Sequence, residues 1–374
     1  MATPLALFLL PRAFHSLKAN AFIRPLIGLT LLAVCVGVLL ELTVPLSLGG
    51  SGNLFNALAV ALWIVEIPLL GITVAYALCQ IDLRPGLVAL AAGALAGGIL
   101  YTPSLFTSNL ASTWKYLLGY PVSALVLALI GRSRPPAAIL ATLGLAGIAF
   151  LASARSLGLI LIVAAALTLI VKVRGSSVWS AAPRVIIAAT ISATFLAIAM
   201  GNGWLGSSLQ QLDIQETSQG QSLLLGGRPE FNATFALMQV RAVGFGIGTL
   251  PSVGVADVAV NAVSASGGYT GAYYETTVFN GRVDLHSGVS NLWYHFGIGG
   301  LALAALLGLI FLKGGLSMSL LARSLQPCGQ FLIWYGAWDL AASPIDNFPH
   351  ISIAIGVSLA VMSTAIRQPS RRAC

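Results

Sequence analysis

The sequence is built from long runs without charge. Ten apolar segments lie at about 26–45, 54–78, 86–104, 117–131, 136–153, 157–171, 185–200, 291–312, 329–345 and 350–366. They approach or reach the roughly 20 residues with which a helix crosses the hydrocarbon core of a bilayer. In water these segments would have to bury one another, and the chain lacks the polar surface to cover them. Of its 374 residues 57% are hydrophobic and only 8% are charged, against about 25% charged in soluble domains. Lipid is the solvent that suits such a chain. Its 40 glycines fit membrane helices, where small residues let backbones approach closely. The expected fold is therefore all-α: a polytopic transmembrane helix bundle of about ten spans, with a tight hairpin around Ala154–Ser156.

The net charge of +8 would point to nucleic acid in a soluble protein. Here the basic residues sit in short loops between apolar runs, where they set topology, and nucleic-acid binding is not expected. Arg12, Lys18, Arg24, Arg84, Arg132, Arg134, Lys172, Arg174, Arg184, Lys313, Arg323, Arg367, Arg371 and Arg372 fall on one side of the ten-span arrangement, and Lys115, Arg155, Arg228, Arg241 and Arg282 on the other. Fourteen against five places both termini in the cytoplasm and the loop 201–289 outside it. The expected organisation is spans 1–7 over 1–200, a long extracytoplasmic loop over 201–289, and spans 8–10 with a cytoplasmic tail over 290–374. Leu5–Leu10 is too short to span and is followed by basic residues, so no cleavable signal is expected.

The loop is the least membrane-like part of the chain. It holds three arginines (228, 241 and 282) and six carboxylates (213, 216, 230, 257, 275 and 284), a net charge near −3, so any anion site within it is local. It is too long for a mere connector, and apolar stretches such as Phe231–Val243 imply short amphipathic helices.

Three constellations offer chemistry. Arg155 interrupts an apolar stretch of about 36 residues; at membrane depth it costs roughly 2.5 kcal/mol or more unless paired or hydrated. It is either a snorkelling residue that ends a helix or an anion ligand at the mouth of the bundle. Gly226-Gly-Arg228-Pro-Glu230 precedes a segment in which Phe231, Phe235, Met238 and Ala242 draw one apolar face. Arg228 at that helix N-terminus is placed to grip phosphate oxygens, or else to make a surface contact with Glu230. Asp284-Leu-His286-Ser287 stands directly before the eighth span, either as a helix cap or as a proton-transfer site, since histidine titrates near neutral pH. Glu66 and Asp339 lie inside spans and read as structural polar contacts or proton-relay groups. Gly244-Phe-Gly-Ile-Gly248 follows no strand and is not a dinucleotide site. The cysteines form no CxxC pair, and no run of residues has metal-ligand spacing.

Together these elements resemble the O-antigen ligase and O-antigen polymerase-like family of membrane glycosyltransferases. The most specific stretch is His286-Ser-Gly-Val-Ser-Asn-Leu-Trp-Tyr-His-Phe-Gly297-Ile-Gly-Gly300-Leu301, similar to the family's histidine before a helix with Gly-x-x-Gly-Leu. Arg228 through Gly248 resembles its arginine–helix–Gly-x-Gly stretch, and Ala154-Arg155-Ser156 its Ser-Arg motif; the likeness covers about 140–305. Ser287 stands where the family commonly has Asn, and His295 where Glu is frequent.

The resemblance implies a GT-C-like, metal-independent enzyme without cofactors in the bacterial cytoplasmic membrane. It would move a glycan from a polyprenyl diphosphate-linked oligosaccharide donor to a glycan or glycolipid acceptor outside the cytoplasm. His286 would be catalytic; Arg155, Arg228 and Arg241 would bind the diphosphate; Asp284, Ser287 and Glu230 would support them. The alternative is a transporter or flippase of lipid-linked saccharides, for which charged residues along a central path are needed and only Glu66 and Asp339 offer themselves.

Overall fold

The computed structural model describes residues 2–50, 54–101, 110–131, 134–170, 198–204, 230–265, 278–279, 283–318, 324–343 and 349–366, with isolated positions between 183 and 214. Nine of the ten expected spans are helices among these residues: α2 (Ile23–Thr43), α3 (Leu54–Gln80), α4 (Leu83–Tyr101), α5 (Leu110–Ile130, with a π turn at Trp114–Leu118), α6 (Pro135–Leu151), α7 (Arg155–Ile170), α10 (Gly288–Ser317), α11 (Gln326–Ala342) and α12 (Pro349–Ile366). The segment 185–200 falls largely outside the described residues. Among the described residues three further helices lie apart from the expected spans: α1 (Ala2–Leu17), α8 (Glu230–Val240) and α9 (Val253–Ala265).

Five helices, α2, α3, α4, α5 and α10, are long and apolar enough to cross a bilayer, which makes this an all-α membrane protein. The lipid-exposed character is visible on their surfaces. Leu31, Leu39, Leu58 and Leu62 stand exposed, while Ala33, Gly37 and Ile64 are buried. Large aliphatic residues thus stand on the outer surface as well as in the core, as lipid permits and water does not. The helices also stop for local reasons. Asn20 accepts the Phe22 N–H at 3.0 Å at the entry to α2, and Pro45 forces Val44 into extended backbone at its exit.

Two compact units emerge, one of residues 1–72, 214–310 and 336–357, the other of 73–213, 311–335 and 358–374. In the second unit α6 and α7 form the expected hairpin, turned through Ala152–Ala154; the Ser153 N–H donates to Phe150 O at 2.9 Å and the Ala154 N–H to Ala149 O at 2.8 Å. Phe150 then packs flat on Gly158, where a Cβ would stand 2.7 Å from the ring. The Arg84 guanidinium donates to Leu129 O at 2.9 Å and Ala128 O at 3.2 Å, neutralising carbonyls at the end of α5.

The first unit contains the part of the long loop that the structure describes. That loop has a core of its own: Ala233 and Leu237 of α8, Val255, Ala259 and Val263 of α9, with Phe245, Val278, Val283, Leu285, Trp293 and Tyr294. A two-residue antiparallel ladder, Gly49–Gly50 (β1) on Leu250–Pro251 (β2), ties it to the segment after α2, and the Ser252 hydroxyl donates to Ser47 O at 2.9 Å. The face expected for α8 needs correction. Phe235 and Ala242 are exposed and Phe231 and Met238 half-buried, whereas Ala233, Thr234 and Leu237 are buried. The side that packs is the one with small residues, because α9 approaches it closely; bulk decided against the phenylalanine stripe.

Candidate functional site

The clearest departure from regular structure is the turn that starts α10. The Asp284 carboxylate accepts the His286 N–H at 3.0 Å, an Asx turn. Asn291, one turn into α10, reaches back to accept the Leu285 N–H at 2.9 Å. Ser287 caps the helix by accepting the Ser290 N–H at 3.3 Å, and its own hydroxyl donates to Ala341 O at 2.8 Å. Between these anchors His286 takes φ +47. Left-handed backbone costs a side-chain-bearing residue about 1–2 kcal/mol, and such strain persists only where the surroundings impose it.

The imidazole points its Nδ1 at Asp284, 3.3 Å from the carbonyl oxygen and 3.7 Å from Oδ1. A proton on Nδ1 donates to the Asp284 carbonyl oxygen, while the contact with Oδ1 is electrostatic only. The His286 side chain is 23% exposed over an Asp284 side chain that is 8% exposed. The turn thus holds a partly open imidazole beside a buried carboxylate.

Further into α10 the helix breaks at Gly297, which has φ +55 and ψ −136. The break frees the Tyr294 carbonyl, and the loop takes it: the Phe245 N–H donates at 2.8 Å and the Gly246 N–H at 3.2 Å. The approach is close enough to exclude side chains. A Cβ on Gly297 would lie 2.2 Å from Val243 O, and one on Gly244 (φ +91) 2.5 Å from Trp293 O. Trp293 Nε1 donates to Ala242 O at 2.9 Å and the Tyr294 hydroxyl to Thr249 O at 3.2 Å. His295 Nδ1 lies 3.3 Å from Gly246 O, fully within this packing. The Gly-Phe-Gly-Ile-Gly run is thus the backbone plug of a broken membrane helix.

Arg241 follows α8 directly. Its guanidinium lies 3.5 Å from both Phe245 O and Thr43 Oγ1, at the end of α2. Partial burial pulls its pKa below the ordinary arginine value, with the Tyr294 hydroxyl acting in the opposite sense; an arginine so placed stays charged. Glu230 opens α8, buried, with Oε2 lacking a hydrogen-bond partner among the described residues. Glu230 and Arg241 therefore sit at opposite ends of a helix about 16 Å long. Arg155 starts α7 in the second unit. Arg228 and Arg282 lie outside the described residues. Asp284, His286 and Ser287 are the assigned residues that the structure brings together, in one turn.

Other polar residues escaped the sequence. Glu41, in the last turn of α2, accepts the Gly248 N–H through Oε2 at 3.0 Å. An acidic residue at a helix C-terminus opposes the helix dipole, and that was the available signal that it needed a partner. His350 pairs with Glu66 at 3.0 Å, and Asp339 accepts hydrogen bonds from the Ser352 and Ser343 hydroxyls. Glu66 and Asp339 thus each join one helix to another. Among the described residues no three His, Cys, Asp or Glu side chains are grouped as ligands for a metal ion. No protein-family profile, no curated protein sequence and no solved structure matches the chain.

Proposed function

We propose that the chain is a membrane glycosyltransferase that transfers a glycan from a polyprenyl diphosphate donor to a sugar hydroxyl on the extracytoplasmic side of a bacterial cytoplasmic membrane. The observation that carries this proposal is the turn at Asp284–Ser287: a histidine in left-handed backbone, backed by a buried carboxylate, at the mouth of a membrane helix. Strain of this kind is kept where position matters. The acceptor O–H would attack the anomeric carbon while His286 Nε2 takes its proton. The bond from that carbon to the diphosphate oxygen would break with its electrons on the leaving group. Arg241, held between the end of α2 and the loop, would stabilise that growing charge. Arg155 and Arg228 enter as further diphosphate ligands, and Glu230 as a supporting residue, on the sequence resemblance alone.

The flippase alternative needs ionisable groups available to a moving substrate. Glu66 and Asp339 are instead engaged with His350, Ser343 and Ser352, which favours the enzyme. Reconstitution with a lipid-linked repeat unit tests the proposal. A ladder of products indicates a polymerase, one transferred glycan a ligase, and unchanged donor overturns both.

A further inference from the structure

Membrane helices are usually joined through small residues and hydroxyls, because an ionisable side chain among them is expensive. Besides others such as Glu41 and His295, the helices of the first unit carry Glu66, Asp339 and His350. The last three lie along one connected path. Glu66 of α3 pairs with His350 in the first turn of α12 at 3.0 Å. Two residues on, the Ser352 hydroxyl bonds to the Asp339 carboxylate of α11, which also accepts the Ser343 hydroxyl at 2.8 Å. One residue beyond Asp339, Leu340 presses on Gly288, where a Cβ would lie 2.7 Å from Leu340 O. The next carbonyl, that of Ala341, accepts the Ser287 hydroxyl at 2.8 Å. Ser287 is the residue after His286. The path thus runs from the interior of α3, through α12 and α11, into the turn that holds His286 in its strained backbone.

We propose that Asp339 is a positioning residue for His286, acting through the end of α11, with the Glu66–His350 pair anchoring that end on α3. This rests on the role given to His286 above. Asp339 touches neither substrate nor the histidine; it fixes where the Leu340–Ala341 carbonyls stand. α10 begins against those carbonyls without a side chain at Gly288 to take up slack, so a shift of α11 passes directly to Ser287. The carboxylate is suited to this because one oxygen accepts from Ser343, just past the end of its own helix, and the other from Ser352 of α12. The Asp339→Asn substitution keeps the same shape: the amide oxygen accepts from Ser343, and the NH₂ donates to Ser352, whose hydroxyl then donates to Pro349 O, 2.8 Å away. A leucine keeps the volume and breaks both bonds.

The test compares Asp339→Leu, Asp339→Asn and Ser352→Ala in purified full-length protein, with two readouts. One is the rate at which diethylpyrocarbonate acylates His286, resolved by peptide mass spectrometry from His15, His295 and His350. The other is transfer, as kcat and donor KM. Asp339→Leu is expected to change His286 acylation severalfold and to lower kcat about tenfold or more, the scale on which a misplaced reacting group costs rate, with KM little altered. Ser352→Ala follows in the same direction with a smaller effect, and Asp339→Asn restores both readouts. Unchanged acylation in folded Asp339→Leu overturns the positioning role, as does an Asp339→Asn variant as impaired as the leucine variant. Should Asp339→Leu not fold, Ser352→Ala carries the test, and unchanged acylation there is equally fatal. A wild-type protein without transfer sinks the glycosyltransferase proposal and leaves the acylation result to decide the positioning role.

Discussion

If His286 is the acid–base group proposed above, substitutions there separate stability from activity, because its backbone carries the strain and its imidazole the chemistry. Its φ of +47 is one that glycine adopts without penalty and other residues at about 1–2 kcal/mol. The imidazole offsets part of that: Nδ1 lies 3.3 Å from Asp284 O and 3.7 Å from its carboxylate, on a side chain that is 23% exposed, contacts that contribute about 0.5–1.5 kcal/mol. Replacing His286 by glycine relieves the strain and loses these contacts; replacing it by alanine loses the contacts and keeps the strain. The glycine variant is therefore expected to be about 1 kcal/mol more stable than the alanine variant, the usual difference where native φ is positive. Asparagine, which tolerates left-handed backbone, falls between. Both glycine and alanine variants are expected to lose transfer by roughly 10²–10⁴-fold, the contribution of a positioned acid–base group. Reversible unfolding in mixed detergent micelles gives the stabilities, and the reconstituted assay the rates. An alanine variant as stable as the glycine variant refutes the claim of imposed strain, and a glycine variant with wild-type transfer refutes the claim that the strain serves the imidazole.

Gly297→Ala sets a Cβ 2.2 Å from Val243 O at φ +55, so strain and overpacking of roughly 1–3 kcal/mol each are expected to empty the folded fraction in size-exclusion profiles. Trp293→Phe removes the Nε1 bond to Ala242 O and costs about 1–2 kcal/mol by the same unfolding assay. Arg241→Ala and Arg155→Ala each lower transfer about tenfold or more, and lysine restores little of it because it lacks the planar fork; wild-type rates at equal abundance remove either arginine from the mechanism. A cysteine at exposed Ser264 of α9 reacts with an impermeant thiol reagent in intact spheroplasts, and labelling only after lysis reverses the topology.

Helix existence was legible because hydropathy is a one-dimensional property: nine expected spans coincide with helices, and their ends differ by a few residues. What was illegible depended on which face meets which neighbour. In α8 the aromatic spacing of Phe231, Phe235 and Met238 suggested a packing stripe, yet α9 comes close on the Ala233–Leu237 side and leaves Phe235 outward. The glycine run 244–248 could be dismissed as a nucleotide loop from its context, but its partner, a helix broken at Gly297, lies about fifty residues away and no local pattern announces it. His286 was marked out by chemistry, whereas its left-handed φ follows from Asp284, Asn291 and Ala341 acting together. His350 had a visible cue, a histidine at the head of a span with an unexplained Glu66 in another, and pairing the two needed the register of α3 on α12.

His286, Arg241 and the described part of the long loop are tied together by contacts coupled to one another. β1 follows α2 and pairs with β2 of the long loop, so the end of α2 and that loop share a side. Ser287 bonds to Ala341, and Asp339 to Ser352, so the start of α10, the end of α11 and the start of α12 share a level. Tyr294 of α10 takes its N–H donors from Phe245 and Gly246, and Gly248 bonds to Glu41 near the end of α2, which joins the two groups. No one of these segments can cross to the other face without undoing the others. Ser264 stands on α9 within the same loop core as Tyr294, so the accessibility of that single position decides the side for the loop, for Arg241 and for His286 together. The fourteen-to-five split of basic residues in the sequence sets the expectation that this labelling tests, an outer face for the loop.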